Sequence, residues 1–380
     1  MAELHAKYAP ILRFNKNEHF FPMRLDDMLT YSSLHVKGET EPIVAKRAVT
    51  PDLLARNGRF PNTFLRTVDT GPLFAPELLS DWSESATQLI VRWAVTRHAQ
   101  LNESLGRRLY HWFSPRTRQA ASLFWWNGLM QALAESQTPN ELPRLILPSE
   151  TQQDALAQYH FAKPSYTYYY RQVKDSGYLC LQYWFFYSYN DWGRSFSGLN
   201  DHEGDWECMM LFFKLDQNGR AQEPPAYITF ADHESRQTKP WGDDGVTLLG
   251  THPVGFVGGG SHATYPKANT HPLMALYHLF DYATGDGVTI DHDDWVHRIN
   301  LDDTPWLGGY KGSWGTRFWL QMENAMDVLT IVLKSLPGGA PIGFSPPKEV
   351  ELPGVSAPYG PVGPHRPQYA NPAAWAGVEK

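Results

Sequence analysis

The spacing of apolar residues divides this chain into blocks. Between positions 8 and 23, Ile11, Leu12, Phe14, Phe20 and Phe21 stand between Pro10 and Pro22. This predicts extended chain with a turn at Asn15-Lys16-Asn17. Residues 38–75 are broken by Pro and Gly and predict irregular structure. From 81 to 160 the interval becomes helical: Ala86, Leu89, Ile90 and Trp93 follow the capping-box spacing of Asp81 and Glu84. Ser114-Pro115 supplies an N-cap with proline at the first helical position, and Ser149 with Gln152 opens a run through Ala155, Leu156 and Tyr159. From about 165 the pattern turns to strands. The segments 166–170, 179–187, 208–213, 227–230 and 254–257 are aromatic or β-branched, with turn residues between them. Residues 318–335 again predict helix.

No helical pattern separates the successive strands, so βαβ units are not expected. The class predicted is α+β: a central antiparallel β-sandwich with a helical insertion. Residues 1–80 form the N-terminal part of the β domain, 81–160 the helical insertion or subdomain, 161–345 the sandwich core, and 346–380 an extended tail rich in Pro and Gly.

Composition narrows the function classes. Among 380 residues, 33 basic against 40 acidic side chains leave a net charge of -7, which argues against a nucleic-acid partner. Aromatic residues make up 14%, enough to line either a core or a ligand groove. The two cysteines, Cys180 and Cys208, lie in apolar runs, so buried thiols are expected rather than a disulfide framework or a thiolate zinc site. The start of the chain shows neither a basic n-region nor an apolar h-region, and no apolar run is long enough to span a bilayer. The expectation is a soluble, cytoplasmic protein without a transmembrane segment.

The candidate chemistry is concentrated in His202-Glu203-Gly204-Asp205-Trp206-Glu207, which sets an imidazole and three carboxyl groups around one glycine. Hard or borderline divalent ions take such donors. If 179–189 and 205–213 pair as a hairpin, Asp191 and His202 lie at one end of the sheet. Residues two apart on a strand share a face, so Asp205 and Glu207 point together. Gly204 lets the chain bring His202 over them. Asp191, His202, Asp205 and Glu207 are therefore the expected metal ligands. A returning strand at 226–230 delivers His233 to the same end, and the turn Gly258-Gly259-Gly260 offers His262. These two imidazoles are the candidate catalytic residues. The acidic run Asp291-His292-Asp293-Asp294 reads as a solvated loop.

Tyr8-Ala9-Pro10, the Tyr183–Tyr187 strand, this hexapeptide, Asp232-His233-Glu234 and Gly260-Ser261-His262-Ala263-Thr264-Tyr265-Pro266 occur in an order that resembles the vacuolar protein sorting-associated protein sixty-two family. Trp306, Gly312-Ser313-Trp314-Gly315 and a late Gly-Pro-x-Gly-Pro add to that likeness, which leaves 81–160 uncovered. More distantly, the centre resembles the necrosis- and ethylene-inducing peptide-like toxins. Asp191, His202, Asp205 and Glu207 match that motif, with Gly204 where the toxin heptad has its second His. The resemblance implies a β-sandwich holding a divalent cation and binding lipid-linked sugars.

Two functions follow as expectations. One is a metal-dependent protein that recognises a small molecule, glycan or lipid head group through a sugar or phosphate, with Trp192, Trp206 or Trp241 available for stacking. The alternative is a metal-dependent hydrolase with His233 or His262 as ligand or base. A structural ion stapling the long 190–204 connection is the third possibility. Calcium or magnesium suits a carboxylate-dominated site; zinc or iron requires several His ligands.

Overall fold

The structure, a computed structural model, describes residues 4–16, 18–36, 41–57, 63–67, 165–191, 202–232, 235–274, 279–304, 306–307, 310–315, 363–365 and 369–378. In chain order the strands are β1 (Ile11–Arg13), β2 (Ser33–Val36), β3 (Thr63–Arg66), β4 (Thr167–Asp175), β5 (Tyr178–Asn190), β6 (His202–Lys214), β7 (Tyr227–Asp232) and β8 (Ser235–Pro240). They continue as β9 (Leu248–Leu249), β10 (His252–Val257), β11 (Thr264–Tyr265), β12 (Asn269–Met274), β13 (Leu279–Ala283), β14 (Thr289–Ile290) and β15 (His297–Asn300). Short helices span α1 (Leu4–Lys7), α2 (Leu25–Tyr31), α3 (Pro51–Asn57) and α4 (Pro372–Ala376).

Six strands form the main sheet in the order β15-β4-β5-β6-β7-β8. Its centre is the antiparallel pair of β5 and β6, both buried along almost their whole length. That explains the unbroken apolar runs of these strands, since a strand covered on both faces has no solvent side to alternate with. One face carries Leu181, Tyr183, Phe185, Met209, Leu211 and Phe213. It packs with Leu12, Val257 and Ile290 of a five-stranded sheet ordered β11-β10-β1-β14, with β9 beside β10. The other face carries Trp184, Phe186, Cys208, Met210 and Phe212, packed with α2, the β2–β3 hairpin, Trp314 and the C-terminal segment. Each such side chain contributes about 1.5–3 kcal/mol when fully buried.

The fold is β-rich, and its sheets are mixed rather than purely antiparallel. β15 runs parallel to β4, and β1 runs parallel to β10. In both cases the partner comes from a distant part of the chain, so neither pair needs a helical crossover or leaves a local pattern. The helical insertion expected at 81–160 and the helix expected at 318–335 lie outside the described residues. The tail is not wholly extended, because it ends in α4, closed by Gly377 at φ 71. The main sheet grips this tail: Gln182 Nε2 donates to the Tyr369 carbonyl at 2.9 Å, and Arg171 Nη2 to the Pro364 carbonyl at 3.0 Å. Both cysteines are buried and neither is in a disulfide. Among the described residues, no helix is long and apolar enough to cross a membrane.

Candidate functional site

At one end of the main sheet the β5–β6 ladder changes from aromatic to polar. Tyr187 pairs with Asp205 and Asn190 with His202, and Asp191 follows β5 directly. All of these residues stay buried, with Asp191 at 1% exposure and Asp205 at 5%. Asp205 and Glu207 alternate with Trp206 and Cys208. The two acids therefore lie on the face of Met209 and Leu211, while Trp206 joins the opposite cluster. His202, three residues before Asp205, belongs to the other face of a regular strand. Gly204 adopts φ 65, and the His202 Nε2 stands 3.6 Å from Asp205 Oδ1. The same glycine admits the main chain of Trp314, whose carbonyl oxygen lies 2.5 Å from where a Cβ would sit.

The other Asp205 oxygen is held from two sides. Asn190 Nδ2 donates to Oδ2 at 2.9 Å and to the Ser261 carbonyl at 3.1 Å. His262 Nδ1 lies 3.4 Å from the same Oδ2. His262 comes from the glycine turn after β10 and is completely buried. Its ring stacks on Tyr187 at 3.9 Å, with 3° between the planes. Its Nε2 faces Glu18 Oε1 at 3.7 Å. The result is a chain of groups running from His202 through Asp205 and His262 to Glu18.

Burial works to raise the Asp205 carboxyl, but the imidazoles of His202 and His262 beside it outweigh that and hold the group well below its ordinary value. Burial works to lower the His262 imidazole, but Asp205 and Glu18 outweigh that and lift it to about 9. Burial, then the charges of Glu207, Asp205 and Glu18, push the Tyr187 hydroxyl well above its ordinary value. Those three charges place Glu207 and Glu18 in the same electrostatic neighbourhood.

Of the expected ligands, the structure brings His202 and Asp205 into direct proximity and keeps Glu207 on the same strand face. Asp191 lies against the glycine turn, since a Cβ on Gly260 would lie 1.7 Å from the Asp191 carbonyl oxygen. His262 reaches Asp205, whereas His233 lies outside the described residues. Glu203 turns away and accepts hydrogen bonds from the main-chain N–H of Thr67, at 2.9 Å, and from its hydroxyl. Trp206 cannot stack on a ligand here, because it packs against Phe186, Tyr169 and Trp314. Trp192 is outside the described residues, and Trp241 packs against Tyr8. Among the described residues, no three His, Cys, Asp or Glu side chains converge tightly enough to hold an ion as they stand. The donors meet in pairs.

Sequence reasoning missed Glu18, Tyr187 and Asn190. Glu18 left a faint signal, as a lone acid between a polar turn and Phe20-Phe21. Tyr187 and Asn190 close an aromatic run and read there as core and turn.

No protein-family model and no curated protein matches this chain. Two solved structures resemble part of it. One is necrosis and ethylene inducing protein 2 from the causal agent of cocoa's witches' broom disease, at 11% identity over 38% of this chain and 56% of that one, with a TM-score of 0.24. The other is NLPPya in complex with glucosamine, at 15% identity over 26% of this chain and 42% of that one, with a TM-score of 0.21. The chain thus spans about half the length of these structures, 56% and 42% respectively. Both are of the kind that the central motif resembles, while the vacuolar sorting likeness finds no support. Similarity at this level assigns no residue a role.

Proposed function

We propose that this end of the main sheet binds a divalent cation and uses it to hold a polar ligand bearing a sugar or phosphate group. The observation that carries the reading is the burial of four carboxyl groups, those of Glu18, Asp191, Asp205 and Glu207, at this end of the sheet, with His202 and His262 beside them among the described residues. Carboxylates buried close together repel one another, and a bound cation offsets that cost. By its chemistry the donor set suits one, once the donors that now meet in pairs draw together around it. Asp191, Asp205, Glu207 and His202 supply three carboxyl groups and one imidazole, a hard set suited to calcium or magnesium. The 3.6 Å between His202 Nε2 and Asp205 Oδ1 is long for a hydrogen bond. It is near the spacing of neighbouring donors around an ion with bonds of about 2.0–2.4 Å. When bound, the ion supplies fixed positive charge for a ligand oxygen. Asn190 and His262 orient Asp205 as outer partners. We read the five- and six-stranded sheets as the two layers of a sandwich, with the site at one end.

The binding role is favoured over the hydrolase. His262 is completely buried and enclosed between Asp205 and Glu18, which turns its ring nitrogens away from any bound substrate. The test is elemental analysis of the purified chain together with Mn2+, Ca2+ and Mg2+ titrations of the parent, His202→Ala and Asp205→Ala. We expect one ion per chain in the parent and at least about hundredfold weaker binding in both variants. A parent protein that takes no ion after reconstitution sinks the proposal. Turnover of phosphate esters or glycosides that disappears in folded variants moves the assignment to the hydrolase.

A further inference from the structure

Glu18 lies in an N-terminal segment that carries none of the expected ligands or catalytic residues, yet its carboxylate is engaged on every side that the structure describes. Oε1 accepts from the main-chain N–H of His19 at 2.8 Å and of Phe20 at 3.1 Å, and it lies 3.7 Å from His262 Nε2. Oε2 accepts from the N–H of Gly260 at 3.0 Å. The turn it grips is strained. Gly260 takes φ 74 freely, but His262 has φ 60, where its Cβ crowds the following carbonyl oxygen and the left-handed region is costly. Such a conformation persists only where its surroundings over-determine it. Here the His262 N–H donates to the Gly258 carbonyl at 3.0 Å, the ring stacks on Tyr187, and the two ring nitrogens face Asp205 and Glu18. Asn15, three residues before Glu18, stitches the same segment to the far side of the turn through the Tyr282 carbonyl and the Thr284 N–H.

We infer that Glu18 is a positioning residue of this site: its carboxylate bolts the N-terminal segment to the glycine turn and fixes His262 against Asp205. The cation arm of the test rests on the function proposed above; the positioning itself does not. The variant is Glu18→Gln in the full chain. A glutamine that still accepts from His19 and Phe20 turns its amide N–H2 towards the Gly260 N–H, so two donors face each other.

In metal-free protein we expect the Gly260 amide to exchange at least about tenfold faster in Glu18→Gln than in the parent. The His262 ring protons, shifted by stacking on Tyr187, should return towards ordinary positions. Mn2+ should bind about tenfold or more weakly, as for loss of an outer partner. Parent-like exchange and parent-like His262 resonances overturn the inference; parent-like Mn2+ affinity with both metal-free signals altered confines Glu18 to holding the turn and overturns its part in the cation site. If the parent itself takes no Mn2+, the cation reading fails alone, and the two metal-free signals still decide whether Glu18 positions the turn. If Glu18→Gln does not fold, Glu18→Asp is read the same way, since it keeps the charge but shortens the reach. Failure of both variants to fold assigns Glu18 to folding alone and overturns the positioning role.

Discussion

The middle and the end of the β5–β6 ladder are equally buried but opposite in chemistry. In the middle, Leu181 faces Leu211 and Cys180 faces Phe212, and both sheet faces are sealed by apolar neighbours. At the end, Tyr187 faces Asp205 and Asn190 faces His202. The middle is stabilised by area removed from water, which asks only for apolar residues of about the right size. The end cannot be stabilised that way. Each buried polar atom there needs a placed partner. Those partners come from residues far away in the chain, namely Glu18 and His262. The same ladder therefore holds a tolerant region beside an exacting one.

The largest effect separates stability from binding. Trp184 is 1% exposed and lies in the apolar middle, its indole donating to Gln182 Oε1 at 3.1 Å. Trp184→Ala should cost about 3–5 kcal/mol in urea unfolding. The folded fraction should keep its Mn2+ affinity within about twofold, since the site contains no group from this layer. A large loss of affinity would show that the two regions are one unit. Next comes the exacting end. Gly260→Ala places a Cβ 1.7 Å from the Asp191 carbonyl at φ 74. We expect a loss of about 2–3 kcal/mol together with weakened Mn2+ binding, because the backbone has to move. Unchanged binding would detach the glycine turn from the site.

A smaller effect tests the charge network through pH in metal-free protein. His262 is raised from its ordinary 6.5 to about 9, against burial, by Asp205 and Glu18. Its contribution to stability is therefore full below 6.5 and is lost as pH rises through about 9. Asp205 is lowered from its ordinary 3.8, so its contribution is full above 3.8 and is lost as pH falls through its folded value. The network thus stabilises most between 3.8 and 6.5. Urea midpoints should fall from pH 6 to pH 9.5 in the parent and much less in His262→Gln. Equal slopes in the two proteins remove His262 from the network.

β4 to β7 of the main sheet were legible because an aromatic or β-branched run reports burial directly, whereas the polar edge strands β8 and β15 carry no such run. The shared face of Asp205 and Glu207 followed from the two-residue period of a strand. The parallel neighbours were not legible: β15 beside β4 and β1 beside β10 join distant segments without a crossover helix, so no local spacing announces them. Glu18 was invisible for the same reason. Its function depends on β1 docking against β10, which carries residue 18 to the turn that follows β10. His262 was found because three glycines marked its turn, but its enclosure between two carboxylates was not.

The smallest expected effect lies within the hexapeptide itself and divides its carboxyl groups. Glu203 and Asp205 are two residues apart, a spacing that puts both on one face of a regular strand. The left-handed Gly204 between them breaks that rule: Glu203 reaches Thr67, and Asp205 reaches His202, Asn190 and His262. Glu203→Gln keeps an acceptor for the Thr67 N–H and removes charge from the side away from the site. Its Mn2+ affinity should stay within about twofold of the parent, whereas Asp205→Asn should lose about hundredfold or more. Equal losses in the two variants would mean that the cation responds to the summed charge of the region rather than to the Asp205 face. The contrast between a tolerant middle and an exacting end would then reduce to electrostatics at long range.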